Sequence, residues 1–305
     1  MLAGVLVGIM AAFVWSISNL VDKYLVDKYA PTGNIGGVLL LSCFFPLTLL
    51  ILSAFLAFEG IIQVGLAEAG YSMLAGALMV SWLFFYLKAL AEDDTSVVMT
   101  LLVLAPFFSL LFAQAILGEF LTFWEIVVGT LLVVGALTVV YEPINKIFKW
   151  KLLAYAISAS IATGLMNTVF KFTAIDIGVW ESLFWRSVGM VAIGLLIFLL
   201  SRSYRQDFYE FMGKHFKKAV GLNITNESLT LTGDTLFAFA MLLIPLALLQ
   251  TTEAYQPIFI FLMVFVLNRF GFSVVTENME RSVLIQKGLG FVLVFSGTVL
   301  MVVMG

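Results

Sequence analysis

The chain alternates long apolar runs with short polar breaks. The runs are about 20 residues long and lack period-two alternation, which selects membrane-spanning helices over strands. Ten such spans are expected, at roughly 3–24, 34–57, 70–90, 95–117, 122–141, 151–172, 178–200, 219–242, 246–267 and 284–303. The eighth departs from the pattern, because residues 222–234 read LNITNESLTLTGD. At about 100° per residue, Asn223, Asn226, Glu227, Thr230 and Asp234 fall within an arc of about 100°. A carboxylate facing lipid is costly, so such residues face a bundle interior or a water-filled cavity. The stripe predicts a polar cavity wall, with Glu227 roughly 12 Å in from Lys218 and Asp234 about 10 Å further. An interfacial turn over 222–228 competes for the first part of the stripe but leaves Asp234 within the span.

Other spans carry polar positions that fit the same cavity. In span 9, Gln250, Glu253 and Pro257 share a face. Pro257 frees a backbone carbonyl near Glu253, and a kinked span with exposed carbonyls is a recurrent ion or substrate ligand. A packing kink is the alternative. Span 7 contains Glu181 and Arg186. Arg186 is expected to pair with Glu227 or Asp234, or to bind an anionic substrate group. Span 1 aligns Trp15, Ser18, Asn19 and Asp22 on one face, and span 6 aligns Ser160, Thr163, Asn167 and Lys171. Asn19 and Asn167 sit deep enough to be cavity candidates, whereas Lys23 and Lys171 lie at helix ends, where snorkelling is available. In span 3, Trp82 and Tyr86 are i, i+4 neighbours that either line the cavity or pack.

Composition agrees with the pattern. The 305 residues are 62% hydrophobic and 11% charged, against about 25% charged in a soluble domain. The mean hydropathy is +1.09. The fold class is therefore an all-α polytopic membrane protein, with the lipid bilayer as its surroundings. The first fifteen residues, MLAGVLVGIMAAFVW, lack a charged n-region and read as a first span rather than a cleaved signal. One cysteine, Cys43, leaves no internal disulfide, and with one histidine, His215, argues against a His/Cys metal site. Walker, HExxH and GxSxG motifs are absent, and Glu92-Asp93-Asp94 has no second acidic motif to accompany it. No catalytic set, cofactor or metal is expected, and a net charge of −3 gives no reason to expect a nucleic-acid partner.

The two halves repeat. Asn19-x-x-x-Lys23 matches Asn167-x-x-x-Lys171, and Pro106 in span 4 matches Pro257 in span 9, both at offsets of roughly 150 residues. Five spans per half make the second copy enter from the opposite side, the inverted repeat of secondary transporters, with a midplane site between the halves. Residues 1–145 are the first expected repeat and 146–305 the second. The polar linker EPINKIFKWK lies between them, and 201–218 reads as either a short interfacial amphipathic helix or a solvated basic loop. Lys and Arg flank the odd-numbered loops, while the even loops hold Glu59, Glu68 and Asp176. By the positive-inside rule the odd loops are cytoplasmic and both termini lie outside. Gly129 and Gly135 in span 5, with Gly288, Gly290 and Gly297 in span 10, suggest close helix approach, an internal contact between the halves or else a dimer seam. The expected state is a monomer or a weak homodimer in the cell membrane.

Three stretches carry a family resemblance. They are Trp15-Ser-Ile-Ser-Asn19, then Pro106-Phe-Phe-Ser-Leu-Leu with Leu117-Gly118-Glu119 and Leu121, and Gly129-Thr-Leu-Leu-Val-Val-Gly135. With the five-plus-five repeat, the chain resembles the drug/metabolite transporter superfamily in its ten-helix EamA-like branch. The resemblance implies a basket of ten helices, with spans 1, 3, 4, 6, 8 and 9 around a central cavity and spans 5 and 10 at the side. It implies movement of small metabolites, often outward, by exchange or proton coupling. Two features depart from it: Arg269-Phe270 stands where the second half would match Gly118-Glu119, and the charge bias opposes the family's cytoplasmic termini.

The expected function is secondary transport, as exporter or exchanger, of a small polar, amine-bearing metabolite such as an amino acid, by alternating access. Glu227, Asp234 and Glu253 are the candidates for proton coupling. Together with Asn223, Asn226, Asn19, Asn167, Trp82, Tyr86 and Arg186 they form the candidate substrate site. A flippase of an amphipathic lipid-linked substrate and a non-transporting scaffold or sensor are the alternatives.

Overall fold

The computed structural model describes residues 2–30, 34–118, 141–142, 147–215, 220–244 and 246–270, with parts of 123–135 and 280–300. Expected spans 5 and 10, including Gly129 and Gly297, fall largely outside the described residues. The first half opens with α1 (Leu2–Tyr29), α2 (Gly36–Phe44), α3 (Leu47–Gln63), α4 (Leu66–Leu90), α5 (Thr95–Leu102) and α6 (Ala105–Leu117). In the linker, β1 (Tyr141–Glu142) pairs antiparallel with β2 (Ile147–Phe148), Tyr141 opposite Phe148. Then follow α7 (Trp150–Ile177), α8 (Val179–Leu200), α9 (Arg202–His215) and α10 (Gly221–Leu243). The described chain closes with α11 (Leu246–Thr251), a 3₁₀ turn (Thr252–Tyr255) and α12 (Gln256–Arg269). Among the described residues, six segments are long and apolar enough to cross a membrane: Leu2–Tyr29, Gly36–Gln63, Leu66–Leu90, Thr95–Leu117, Trp150–Ile177 and Val179–Leu200.

Prolines set the breaks. Each lacks the N–H that would continue an i→i−4 ladder, so a helix restarts at it rather than running through. Pro46 separates α2 from α3. Pro106 lies in the first turn of α6, after the ladder has stopped at Leu102. Pro257 lies in the first turn of α12, after the 3₁₀ turn that carries Glu253. The two prolines matched across the halves thus occupy equivalent breaks.

Packing is dominated by a few helix pairs. The most extensive contact joins α4 to α7, followed by α1 with α10 and α4 with α8; α6 lies on α7 and α3 on α8. The α4–α8 crossing brings backbone against backbone. A Cβ on Gly76 would overlap the Arg186 carbonyl, and one on Gly189 would overlap the Met73 carbonyl. Small residues permit this approach, which without a hydrophobic drive between helices supplies the attraction through van der Waals contact. The crossing also fixes the backbone position of Arg186.

Helix α10 is the most polar of the long helices, yet its hydroxyls are quenched locally. Ser228 donates to the Ile224 carbonyl at 2.7 Å, Thr232 to Ser228 at 2.8 Å and Thr235 to Leu231 at 2.8 Å. Such i−4 bonds satisfy a side chain within its own helix, so it needs no partner outside.

At one end of the bundle, Lys149 meets Asp93 at 2.6 Å and Lys151 meets Glu92 at 2.5 Å. Segment 201–218 contains helix α9, which lies against α2, with Phe211 buried over Gly37 and facing the Tyr29 ring at 5.8 Å. Asp207 on α9 is within electrostatic reach of Lys88, and burial raises its carboxyl above the ordinary aspartate range. The expected loops 1–2, 3–4, 5–6 and 7–8 therefore share one end.

Candidate functional site

A cavity of about 110 Å³ opens between α1, α4, α7, α8, α10 and the 3₁₀ turn. Four carboxylates line it: Asp22, Glu227, Asp234 and Glu253. Among the described residues, Arg186 is the one basic side chain in the lining. Five methionines (Met79, Met99, Met166, Met190 and Met241), with Trp15, Trp82, Phe170 and Phe237, provide apolar wall. Methionine and aromatic surface adapts to ligands of varied shape, leaving the polar groups to fix orientation.

An ion pair lines the cavity. Arg186 Nη2 donates to Asp234 Oδ2 at 2.8 Å, and Trp15 Nε1 donates to Asp234 Oδ1 at 3.1 Å. The indole reaches α10 because residue 233 is glycine; a Cβ there would stand 2.6 Å from Trp15 Nε1. The guanidinium also lies over the Phe170 ring, 5.2 Å from its centroid.

A second cluster lies toward the end of the cavity nearer the Lys149–Asp93 contact. Asn226 Nδ2 donates to Asp22 Oδ1 at 2.6 Å. The Tyr86 hydroxyl is 3.0 Å from both Asp22 Oδ2 and Asn19 Oδ1, so its single proton serves one acceptor at a time. Asn19 Nδ2 donates in turn to Gln256 Oε1 at 2.8 Å. The Ser42 hydroxyl donates to Glu227, and the Ser18 and Thr230 hydroxyls stand 2.6 Å apart. Lys23 points away from this cluster, donating to the Leu90 carbonyl at 2.8 Å and pairing with Asp27 at 2.9 Å.

Of the residues singled out in the sequence, Glu227, Asp234, Glu253, Asn19, Asn167, Trp82 and Arg186 line the cavity. Asn223, Asn226 and Tyr86 are not in the lining. Asn226 and Tyr86 hold Asp22 from behind, and Trp82 stacks on Tyr86 with ring centroids 5.1 Å apart. Asn223 is fully buried, one turn before Glu227. The lining also includes Asp22, Trp15, Ser42 and Gln256, which the candidate set omitted. Asp22 and Trp15 were visible on the polar face of span 1, but nothing in one helix's periodicity shows that α10 supplies the matching wall. Among the described residues there is no group of three or more His, Cys, Asp or Glu that could hold a metal ion.

Comparison with known proteins bears on the fold and the family. A crystal structure of a protein 14% identical in sequence covers 99% of this chain and 97% of its own, with a TM-score of 0.57. At that identity the likeness speaks to the fold. No curated protein matches the chain in sequence. Residues 2–141 match the model of the EamA-like transporter family, in agreement with the motifs of spans 1 and 4. That match and the apolar helices support an integral membrane protein similar to the drug/metabolite transporter superfamily. Through residues 2–141, a little under half of its length, the chain is similar to the EamA-like transporter family.

Proposed function

We propose that the protein is a secondary active transporter, an exporter or exchanger, of a small polar metabolite bearing an amine, moved through this cavity by alternating access. The observation that carries the reading is the charge inventory of the wall, four carboxylates against one guanidinium. Arg186 answers Asp234, which leaves Asp22, Glu227 and Glu253 facing the cavity without a basic partner among the described residues. A substrate ammonium supplies the missing charge. Protons taken up by Glu227 or Glu253 supply it when the substrate is absent, and Asp234 joins them only while Arg186 is away from it, which couples the cycle to a proton gradient.

The scaffold proposed for this cycle is a ten-helix, five-plus-five inverted repeat, residues 1–145 and 146–305. Three observations support it. The paired breaks at Pro106 and Pro257 are equivalent, the α1–α10 and α4–α7 contacts exchange partners between the halves, and the family match ends at the linker. The shared, lysine-bearing end of the bundle is assigned to the cytoplasm of the cell membrane by the positive-inside rule. Labelling of cysteines placed at each terminus from outside intact cells tests that orientation, and protected termini would reverse it.

Thermal unfolding of the purified protein against a metabolite panel tests the substrate class. Amino acids, diamines and quaternary amines are each paired with an analogue lacking the amine. A ligand at a hundred times its Kd stabilises by about 2.7 kcal/mol, a readable shift. Stabilisation by amines and not by their analogues supports the reading; stabilisation by anionic or neutral compounds alone overturns it.

A further inference from the structure

Arg186 and Asp234 form a buried pair whose geometry is that of a detachable contact. A buried structural ion pair is stable when the guanidinium is bidentate and its remaining protons are satisfied. Here only Nη2 is bonded to the carboxylate, and Nε is buried with no partner among the described residues. Asp234, by contrast, has both oxygens engaged and is held in place by Trp15. The guanidinium hangs from a backbone clamped at the Gly76 crossing and rests on the Phe170 ring, a soft surface with no hydrogen bond to break. Both charged groups line the cavity in which the substrate is proposed to bind.

We propose that Arg186 is a resident stand-in for the substrate cation: it occupies Asp234 when the transporter is empty and is displaced when the substrate ammonium arrives. The proposal rests on the amine reading above. An unpaired carboxylate at this depth is costly to carry through a conformational change. A tethered guanidinium keeps Asp234 paired in the empty protein, and its return to the carboxylate assists release of the ligand. Phe170 gives the displaced guanidinium a cation–π surface on which to wait. Arg186 therefore sets affinity by competition and lowers it, the opposite of a residue that grips an anionic group of the substrate.

The probe is n-butylammonium, a cation with no carboxylate, so an Arg186 that bound substrate anions would not affect it. Its binding to the full-length protein in detergent is measured by calorimetry for wild type and Arg186→Gln. The expected result is about tenfold tighter binding by Arg186→Gln, equivalent to about 1.4 kcal/mol of freed interaction. The gain is lost in Arg186→Gln/Asp234→Asn, where the carboxylate is gone. Arg186→Lys keeps a cation on a stem of shorter reach and so maintains the fold; it tightens binding by a smaller factor and decides the matter if Arg186→Gln does not fold. Unchanged or weaker binding in both single variants, with wild type binding normally, overturns the role of Arg186 while leaving the amine reading standing. No binding by wild type or any variant overturns both.

Discussion

Gly76→Ala isolates the packing that positions the site. The added methyl would overlap the Arg186 carbonyl and lie 2.7 Å from the Met190 nitrogen. Ordinary van der Waals contact there begins near 3.4 Å. Both obstructing atoms are backbone, so no side chain can rotate aside and α8 must move off α4 along a major interface of the bundle. Overpacking costs about 1–3 kcal/mol, and the rigid partner places this case near the upper end. The better helix propensity of alanine offsets about 1 kcal/mol, for a net loss of about 2 kcal/mol. At about 2–4 °C per kcal/mol, Tm falls by roughly 4–8 °C. Gly70→Ala on the same helix is the control, because a Cβ there meets nothing within 4 Å. Its Tm should equal or exceed wild type. Thermal unfolding of the three proteins in one detergent checks the reasoning, and a Gly76→Ala protein that melts with Gly70→Ala would refute the close crossing.

Three further outcomes follow from local geometry. Tyr86→Phe removes the hydroxyl shared by Asp22 and Asn19 and is expected to lose about 1.5–3 kcal/mol in thermal unfolding, the range for hydrogen bonds to charged groups; an unchanged melt would mean that the cluster does not hold Asp22. Phe211→Ala removes the ring that seats α9 on α2, so hydrogen exchange over 202–215 should accelerate while α4 and α7 stay protected; unaltered protection of α9 would contradict the docking. Thr232→Val should change stability by less than about 0.5 kcal/mol, because this exposed hydroxyl bonds only within its own helix; a larger loss would reveal a partner elsewhere.

Particular residues show how much of this was legible in the chain. The stripe from Asn223 to Asp234 marked a polar wall because a helix period assigns residues to faces. Pro106 and Pro257 marked breaks because a missing N–H acts locally whatever surrounds it. Arg186 was expected to meet Glu227 or Asp234, and it meets Asp234. What a single helix cannot show is depth behind a face. Asn226 shares the stripe with Glu227 but turns to Asp22, and Tyr86 shares a face with Trp82 but is covered by it. Asp22 lay on the polar face of span 1, yet its place in the wall depends on α4 and α10 approaching from far along the sequence. Close approach is expected at the glycines of spans 5 and 10, of which Gly129 and Gly297 lie outside the described residues. Among the described residues it occurs at Gly76 and Gly189, whose role is set by the crossing partner rather than by local spacing.

The acid-lined cavity is proposed to carry an amine-bearing substrate across the membrane. Reconstituted vesicles loaded with the amine that stabilises the protein, and diluted into label, measure its exchange directly in wild type, Glu227→Gln and Asp234→Asn. Both substitutions keep side-chain size and remove a charge that lines the cavity. Exchange should be abolished in each variant, with the folded state retained by thermal unfolding. Exchange at the wild-type rate in both variants would contradict it.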